Sequence, residues 1–235
     1  MKGLVSFCLF GTDPKDIYFR GAIKNAEIYA EIRPEWECIF YLSKTVPEWV
    51  QEWIEGVGNS RVIRKPGPDN QSATFWRFLA MREAGYDFYL FRDTDSRPGD
   101  RELGAVDDWL NTTRANFHVM RDHPRHGVAM LAGMWGVKFR GTYKILGKLP
   151  DEIKGDHYQV DQEWLRMFVW PFAKRDVLVH SEYDWNLEPK MNRRAFHIPR
   201  TDNDYYVAEC RNGDDTLRFP EHRLEVMVNG YKAED

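Results

Sequence analysis

Two aspartates, Asp93 and Asp95, are separated by one residue and follow the apolar run 86–91 after Arg92. If a strand ends there, both carboxylates can point the same way. Two such carboxylates can bind one hard divalent cation through oxygen, and Mg²⁺ or Mn²⁺ then completes its coordination with water and substrate phosphates. Arg92 and Arg97 flank the pair and carry the charge that phosphate recognition uses. We therefore expect a metal-bound diphosphate here, although an isolated Asp-x-Asp tripeptide would favour a solvated turn.

A nucleoside-diphosphate sugar would give this metal a chemical purpose. The cation would bridge the diphosphate and neutralise the charge that grows as the phosphate leaves the anomeric carbon. Asp13, in the loop after the first apolar run, is placed to meet the base or the ribose of such a donor. The alternative for this residue is a turn formed by the pair Asp13-Pro14.

A polar cluster follows the predicted strand 116–120 and comprises Arg121, Asp122, His123 and His126. A lone histidine is usually structural, but four polar groups in one loop can orient sugar hydroxyls through several hydrogen bonds. We therefore expect this loop on the sugar side of the site.

A second place suited to a sugar is the segment around Gly133 and Trp135, after the apolar residues 128–131. Glycine allows the backbone to approach a ligand closely, and a tryptophan face can stack on a pyranose ring. A β-bulge with a tryptophan packed in the core is the competing interpretation.

Strand and helix patterns alternate along the first two-thirds of the chain and would position these residues. Apolar runs predict strands at 4–10, 38–42, 61–64 and 86–91, and helical spacing predicts helices at 17–32, 47–54 and 72–85. This alternation predicts an α/β/α sandwich with a mainly parallel sheet and helices on both faces. Ligands of such sheets bind outside the carboxyl ends of the strands, so the loops after residues 10, 64 and 91 are the expected site.

Individual residues in the helices carry further expectations. In helix 47–54, Trp49, Val50 and Trp53 are expected on one face. Ser72 is expected to cap the helix that follows it. Asp156 is expected to cap a later helix whose buried stripe is formed by Val160, Trp164 and Phe168.

Composition excludes several other classes of protein. The 235 residues carry a net charge of −4, which gives no electrostatic case for binding nucleic acid. The three cysteines lack metal-like spacing, and the first apolar run is too short to span a membrane. We expect a cytoplasmic protein with one catalytic domain over 1–235: a donor-binding half at 1–98, an acceptor-facing half at 99–182 and an irregular extension at 183–235.

The spaced residues between 72 and 165 resemble the small bacterial and viral glycosyltransferases of the GT-A type. The resemblance rests on Phe75-Trp76-Arg77-Phe78-Leu79, Arg92-Asp93-Thr94-Asp95-Ser96-Arg97, Arg101-Glu102, Ala105-Val106-Asp107-Asp108-Trp109-Leu110, Met120-Arg121-Asp122-His123-Pro124 with His126, and Ala132-Gly133-Met134-Trp135-Gly136. This set is far more specific than the Asp-x-Asp alone. It implies a GT-A fold, a nucleotide-binding first half, and Mn²⁺ or Mg²⁺ on Asp93 and Asp95.

The resemblance also implies roles for single residues. Arg77 would contact donor phosphate or sugar, or would be an ordinary arginine on a helix surface. Asp161 and Gln162 match the pair that many retaining GT-A enzymes place beside the anomeric carbon, although Asp161 would also suit a helix N-terminus electrostatically. His180 is the candidate for a third metal ligand, and His197 competes with it.

Together these expectations define a donor site and an acceptor site. The donor site would comprise Asp13, Arg77, Arg92, Asp93, Thr94, Asp95 and Trp135, and the sugar and acceptor site would comprise Arg121, His123, His126 and Gly133. We expect a UDP- or GDP-sugar as donor and a glycan or another hydroxyl compound as acceptor. Transfer with retention would use Asp161 and Gln162, whereas inversion would need a carboxylate base such as Asp122.

Two other functions remain as alternatives. A phosphatase or a nucleotidyltransferase can also use paired aspartates, but an aspartyl-phosphate phosphatase needs its Asp-x-Asp after the first strand. That position holds Gly11-Thr12-Asp13, which lacks the second carboxylate. A carbohydrate-binding module without turnover would explain the nine tryptophans but not the carboxylate pair.

Overall fold

The computed structural model describes residues 1–67 and 69–228. Within them, eight strands form one sheet in the order β3-β2-β1-β4-β6-β5-β7-β8. The strands are β1 Gly3–Leu9, β2 Glu37–Ser43, β3 Ser60–Lys65, β4 Phe88–Arg92, β5 Phe117–Arg121, β6 Met134–Lys138, β7 Val177–Ser181 and β8 Arg193–Arg194. All pairings are parallel except those of β6, which runs antiparallel to β4 and β5. The predicted α/β fold with a mainly parallel sheet is confirmed.

The helices are α1 Ile17–Ile32, α2 Glu48–Glu55, a 3₁₀ helix Gln71–Arg82, α3 Asp100–Thr112, α4 Phe139–Thr142, α5 Val160–Trp164, a π-helical turn Leu165–Val169, α6 Trp170–Ala173 and α7 His222–Val228. Short 3₁₀ turns cover Pro124–His126, Leu146–Lys148 and Lys190–Asn192. None of the helices in the described part of the chain is both long and apolar enough to cross a membrane.

Helices cover both faces of the sheet, and the strands feed a separate core on each face. In β4, Tyr89 and Phe91 belong to one core, while Phe88 and Leu90 belong to the other. This alternation follows from the two-residue period of a strand, and a strand buried on both faces must be apolar throughout. Helices α1, α2 and α3 cover one face, and the 3₁₀ helix with α5, the π turn and α6 covers the other.

Several local expectations differ from the structure. Asn70 caps the 3₁₀ helix, since its side chain accepts a hydrogen bond from the Ser72 amide at 3.0 Å. Asp156 does not cap α5, because its carboxylate accepts instead from the Gln71 amide at 3.1 Å. In α2, Val50 is buried but Trp53 is 61% exposed.

In the later helical segment, Val160 and Trp164 are buried as predicted, whereas Phe168 is 38% exposed. The predicted extension from residue 183 contains β8 and α7, and its residues 229–235 lie outside the described part of the chain.

Three strand ends meet where the site was expected. Ser6 of β1 pairs with Phe91 of β4 in parallel, and Arg92 pairs with Met134 of the antiparallel β6. The residues that follow β4 therefore lie beside the residues that precede β6. Asp93 and Gly133 become neighbours in this way.

Candidate functional site

The turn after β4 is held firmly against helix α1. The side-chain amide of Asn25 donates to the carbonyl oxygens of Thr94 at 3.3 Å and Ser96 at 3.0 Å. Gly21 lets the helix approach this closely, because a Cβ added there would lie 2.0 Å from the Thr94 carbonyl oxygen. The Thr94 side chain is itself buried. The turn therefore presents Asp93 and Asp95 from a rigid support.

The two carboxylates differ in exposure and influence one another. The Asp93 side chain is 45% exposed and that of Asp95 is 16% exposed. Burial and the charge of Asp93 raise the pKa of Asp95 from 3.8 to about 6, while Arg218 acts to lower it. The pair thus concentrates negative charge that a cation would neutralise.

Arg77 joins the carboxylate pair to the second predicted catalytic region. It comes from the 3₁₀ helix, is buried, and one of its terminal nitrogens forms an ion pair with Asp93 Oδ1. Its other terminal nitrogen donates to Asp161 Oδ2 at 2.8 Å. Asp161 is also buried, and its second carboxylate oxygen accepts from the backbone amide of its neighbour Gln162 at 2.9 Å. The side chains of Arg77, Asp93 and Asp161 are therefore brought together.

Arg218 is a residue of the site that the sequence analysis missed. Its guanidinium donates to Asp95 Oδ2 and to the hydroxyl of Tyr18, both at 3.1 Å. The same C-terminal segment is fixed to the turn by the Arg211 amide, which donates to the Asp95 carbonyl at 2.7 Å. No sequence signal marked this contact, because it joins positions 123 residues apart.

The residues at this turn fit a hard divalent cation. Both side chains offer carboxylate oxygen, and Gly133 lets the Asp93 carboxylate pack against the backbone, since a Cβ there would lie 1.9 Å from Asp93 Oδ2. Over residues 1–67 and 69–228, no three His, Cys, Asp or Glu side chains form a group that could hold a metal ion. Two protein carboxylates with the remaining positions left to water and substrate phosphate is the pattern that Mg²⁺ and Mn²⁺ accept.

His180 does not join the carboxylate pair, which corrects the third-ligand expectation. It lies on β7, and β6 and β5 separate that strand from β4 in the sheet. Its Nδ1 is 2.9 Å from His118 Nε2, and its Nε2 is 3.2 Å from Asp108 Oδ2. Burial lowers the pKa of His180 to about 4, although Asp108 acts in the opposite direction. His180 therefore contacts other side chains of the protein interior and not the carboxylate pair.

Arg92 and Trp135, both expected on the donor, point away from it into the protein. Arg92 is buried and donates to Glu102 at 2.5 Å and to the Trp135 carbonyl at 2.9 Å. Trp135 is fully buried and stacks on Phe91 with ring centroids 4.3 Å apart. Trp135 is therefore a core residue, because no face of its ring is open to a sugar.

The predicted sugar loop 121–126 is also engaged within the protein. Asp122 is fully buried and accepts from Arg101 at 2.6 and 2.9 Å, Arg200 at 2.7 Å and the Val207 amide at 3.0 Å. Arg121 pairs with Glu188 at 2.8 Å. With these donors around it, neither carboxylate oxygen of Asp122 is free to take a proton from an acceptor hydroxyl.

The two histidines of this loop bind backbone groups. Nδ1 of His126 accepts from the Asp122 amide at 3.1 Å, and Nε2 of His123 is 2.9 Å from the His222 carbonyl oxygen. The loop thus anchors the C-terminal segment to the sheet.

Asp13 follows β1 as predicted, but its carboxylate is used by the helix after it. Oδ2 accepts from the amides of Tyr18 at 2.6 Å and Phe19 at 2.8 Å, so it caps the start of α1. The neighbouring Gly11 amide donates to Asp69 at 2.9 Å. The contacts of Asp13 are therefore explained by its structural role at the start of α1.

Comparison with known proteins supports the fold. No family model and no curated protein matches the sequence. The 4-diphosphocytidyl-2C-methyl-D-erythritol synthase of Anaerococcus prevotii is similar in structure at a TM-score of 0.50 and 13% identity, over 80% of this chain and 89% of that one. This likeness and the sheet order show an α/β fold with a mainly parallel sheet.

Glycosyltransferases of the GT-A type also occur among the similar structures. Mannosyltransferase PcManGT of Pyrobaculum calidifontis, in complex with GDP-Man and Mn²⁺, matches at a TM-score of 0.49 and 15% identity over 66% of this chain. Glucosyl-3-phosphoglycerate synthase of Mycobacterium tuberculosis, in complex with Mn²⁺, UDP-Glc and phosphoglyceric acid, matches at 0.48 and 12% over 77% of this chain and 69% of that one. The chain spans about half, 49%, of the mannosyltransferase.

Proposed function

We propose that this chain is a metal-dependent glycosyltransferase that moves a sugar from a UDP- or GDP-sugar to a hydroxyl acceptor, with a glycan as the favoured acceptor class. The observation that carries the proposal is the carboxylate pair at the carboxyl edge of a mainly parallel sheet, with an arginine on each member. Asp93 contacts Arg77, and Asp95 contacts Arg218. Two carboxylates and two guanidiniums suit a cation together with a diphosphate.

Asp93 and Asp95 would hold Mn²⁺ or Mg²⁺ in this proposal. The bound cation supplies charge neutralisation to the leaving diphosphate. The chain's own part is to position the donor: Gly133 lets the Asp93 carboxylate pack against the backbone, and Arg77 and Arg218 supply positive charge next to the same two carboxylates. Arg77 is buried and would hold Asp93 in place. Arg218 is partly exposed, and once a cation neutralises the carboxylates its guanidinium can donate to phosphate oxygen.

The residues proposed to act at the sugar are Asp161 and Gln162, and the proposed outcome is retention. An inverting enzyme needs a carboxylate base for the acceptor hydroxyl, and the contacts of Asp122 leave it no such freedom. Asp161 is tied to Arg77, which also contacts Asp93. A fixed negative charge there would stabilise positive charge at the anomeric carbon, and a leaving phosphate oxygen would take the acceptor proton.

Product stereochemistry tests this assignment directly. Proton NMR of the first-formed product should show the anomeric configuration of the donor. An inverted product would move the catalytic role to another carboxylate, while leaving the donor site as proposed.

Nucleotidyl transfer is the second candidate function, and the similarity to the Anaerococcus prevotii synthase favours it. The two reactions release different products, since glycosyl transfer releases a nucleoside diphosphate and nucleotidyl transfer from a nucleoside triphosphate releases pyrophosphate. The wild-type chain, incubated with UDP- and GDP-sugars and Mn²⁺, should form free UDP or GDP from the donor. Asp95→Asn should abolish this release, whereas Asp202→Asn, at an exposed carboxylate, should preserve it. Pyrophosphate release from triphosphates without any diphosphate release from nucleotide sugars would favour the second candidate.

A further inference from the structure

One exposed face of the helical segment 160–173 and the residues after it is both apolar and basic. Met167 is 50% exposed, and Phe168 and Phe172 are each 38% exposed. Arg166, Lys174 and Arg175 are exposed beside them, and no acidic residue occurs between 166 and 175. We call Arg166, Met167, Phe168, Phe172, Lys174 and Arg175 the aromatic-basic face.

The core does not explain why these apolar side chains are present. The opposite side of the same segment buries Leu165, Val169 and Ala173 completely, at the four-residue spacing of a helix stripe. Pro171 lacks the amide that an α-helix would direct to residue 167, and the segment passes through a π turn immediately before it. Phe168 also contacts the core at Trp164, with ring centroids 6.0 Å apart, yet the side chains of Met167, Phe168 and Phe172 all remain open to solvent.

Neighbouring elements extend the aromatic-basic face. The Lys148 ammonium lies 4.5 Å from the centroid of the Phe172 ring. Tyr143 is 67% exposed and packs against Phe139 with ring centroids 5.1 Å apart. Lys144, next in sequence, pairs with Asp176 at 2.6 Å, which places this second group beside the end of the first. Two lysine side chains from neighbouring elements thus lie beside the aromatic-basic face.

We propose that the aromatic-basic face lies on the surface of a bilayer that contains anionic lipids. Aromatic and methionine side chains can enter the boundary between headgroups and acyl chains, while lysine and arginine bind the negative surface. The described helices cannot span a membrane, so the mode is peripheral. This inference goes beyond the proposed glycosyl transfer and does not depend on it.

Charge selects this partner over a second copy of the chain. A two-fold dimer would place the same face against itself, and the basic residues 166, 174 and 175 would then oppose their own copies without an acidic residue between 166 and 175 to pair with. An anionic lipid surface offers both the opposite charge and an apolar layer. A soluble polyanion would satisfy the charge but not the exposed apolar side chains.

Sedimentation with vesicles tests the proposal on the full chain. Vesicles of phosphatidylcholine alone are compared with vesicles of phosphatidylcholine and phosphatidylserine, at about 0.1 M and about 1 M NaCl. We expect binding to the anionic vesicles that weakens at high salt. The double variant Phe168→Ser/Phe172→Ser and the double variant Lys174→Gln/Arg175→Gln should each weaken it by at least about tenfold.

Trp53→Ser is the matched control, since Trp53 is 61% exposed on α2 and lies outside this face. It should bind the anionic vesicles like the wild type, and circular dichroism melting should show that every variant is folded. If the serine variant is not folded, the glutamine variant alone decides. The proposal is overturned if the wild type ignores anionic vesicles, or if folded variants bind them unchanged. Binding to heparin that equals vesicle binding and is insensitive to the serine changes would assign the face to a soluble polyanion.

Discussion

At the scale of single residues, Gly133 controls the shape of the proposed metal site. A Cβ at this position would lie 1.9 Å from Asp93 Oδ2, so Gly133→Ala must displace the carboxylate. We expect the affinity for Mn²⁺, measured by titration calorimetry, to fall by at least about tenfold. Gly58→Ala is the control, because its added Cβ would meet nothing within 4 Å. An unchanged affinity in Gly133→Ala would show that Asp93 does not bind the ion at this position.

A second residue-scale prediction concerns Arg218, whose guanidinium contacts the Asp95 carboxylate. Arg218→Gln should tighten the binding of Mn²⁺ alone, because the ion no longer competes with a guanidinium. The same variant should weaken the binding of UDP or GDP in Mn²⁺ by about tenfold, the loss expected for one hydrogen bond between charged groups. Arg223→Gln, which removes a contact to Glu209 instead, should change neither. Loss of both affinities together would contradict the role given to Arg218.

The sequence could identify some of these residues but not others, for a physical reason. Asp93 and Asp95 were predictable because one strand end places both. Arg77 and Asp161 were found by resemblance, and the fold joins them. Trp135 was ambiguous because the same side chain suits a core or a sugar platform. Arg218 was invisible because its contact exists only after residues 123 positions apart have come together.

At the scale of elements, the packing of strand β6 can be tested directly. Its Trp135 packs against Phe91 and Phe78 across the sheet face, with ring centroids 4.3 and 5.5 Å apart. Trp135→Ala should lower the free energy of unfolding by about 3–5 kcal/mol. Trp53→Ala, at an exposed position on α2, should change it by less than about 0.5 kcal/mol. Urea denaturation measures both, and a Trp135→Ala variant as stable as the wild type would refute the core assignment.

The elements themselves were predicted unevenly. α1 and the first four strands followed from clear periodicity and turn residues. Each of their predicted boundaries lies within two positions of the observed one. The antiparallel course of β6 was not predictable, because an apolar run does not specify the direction of its pairing. The π turn and the exposed Phe168 were missed because Pro171 alters a helix whose period otherwise looked regular.

At the scale of the whole molecule, stability should fall in acid. Burial lowers the pKa of His180 to about 4, from 6.5, while Asp108 acts to raise it. The unfolded chain takes up this proton below pH 6.5 and the folded chain does not, so the contribution is present above pH 6.5 and is lost as the pH falls towards 4. Between pH 6.5 and 5 the loss from this one group is about 2 kcal/mol.

Urea unfolding at pH 7 and pH 5 checks this prediction. His180→Gln should lose less stability between the two values than the wild type does. His157→Gln, at an exposed histidine, should follow the wild type. Equal acid sensitivity in all three chains would show that His180 is not the group responsible.

The proposed function depends on cation and donor binding together at the turn after β4. Calorimetric titration of UDP- and GDP-sugars into the wild type and Asp95→Asn, each with Mn²⁺ and with a chelator, measures this most directly. We expect at least one nucleotide sugar to bind the wild type in Mn²⁺, to bind at least about tenfold more weakly with chelator, and to bind Asp95→Asn weakly in both conditions. Nucleotide-sugar affinity that is the same with and without Mn²⁺, and the same in both chains, would contradict the proposed function.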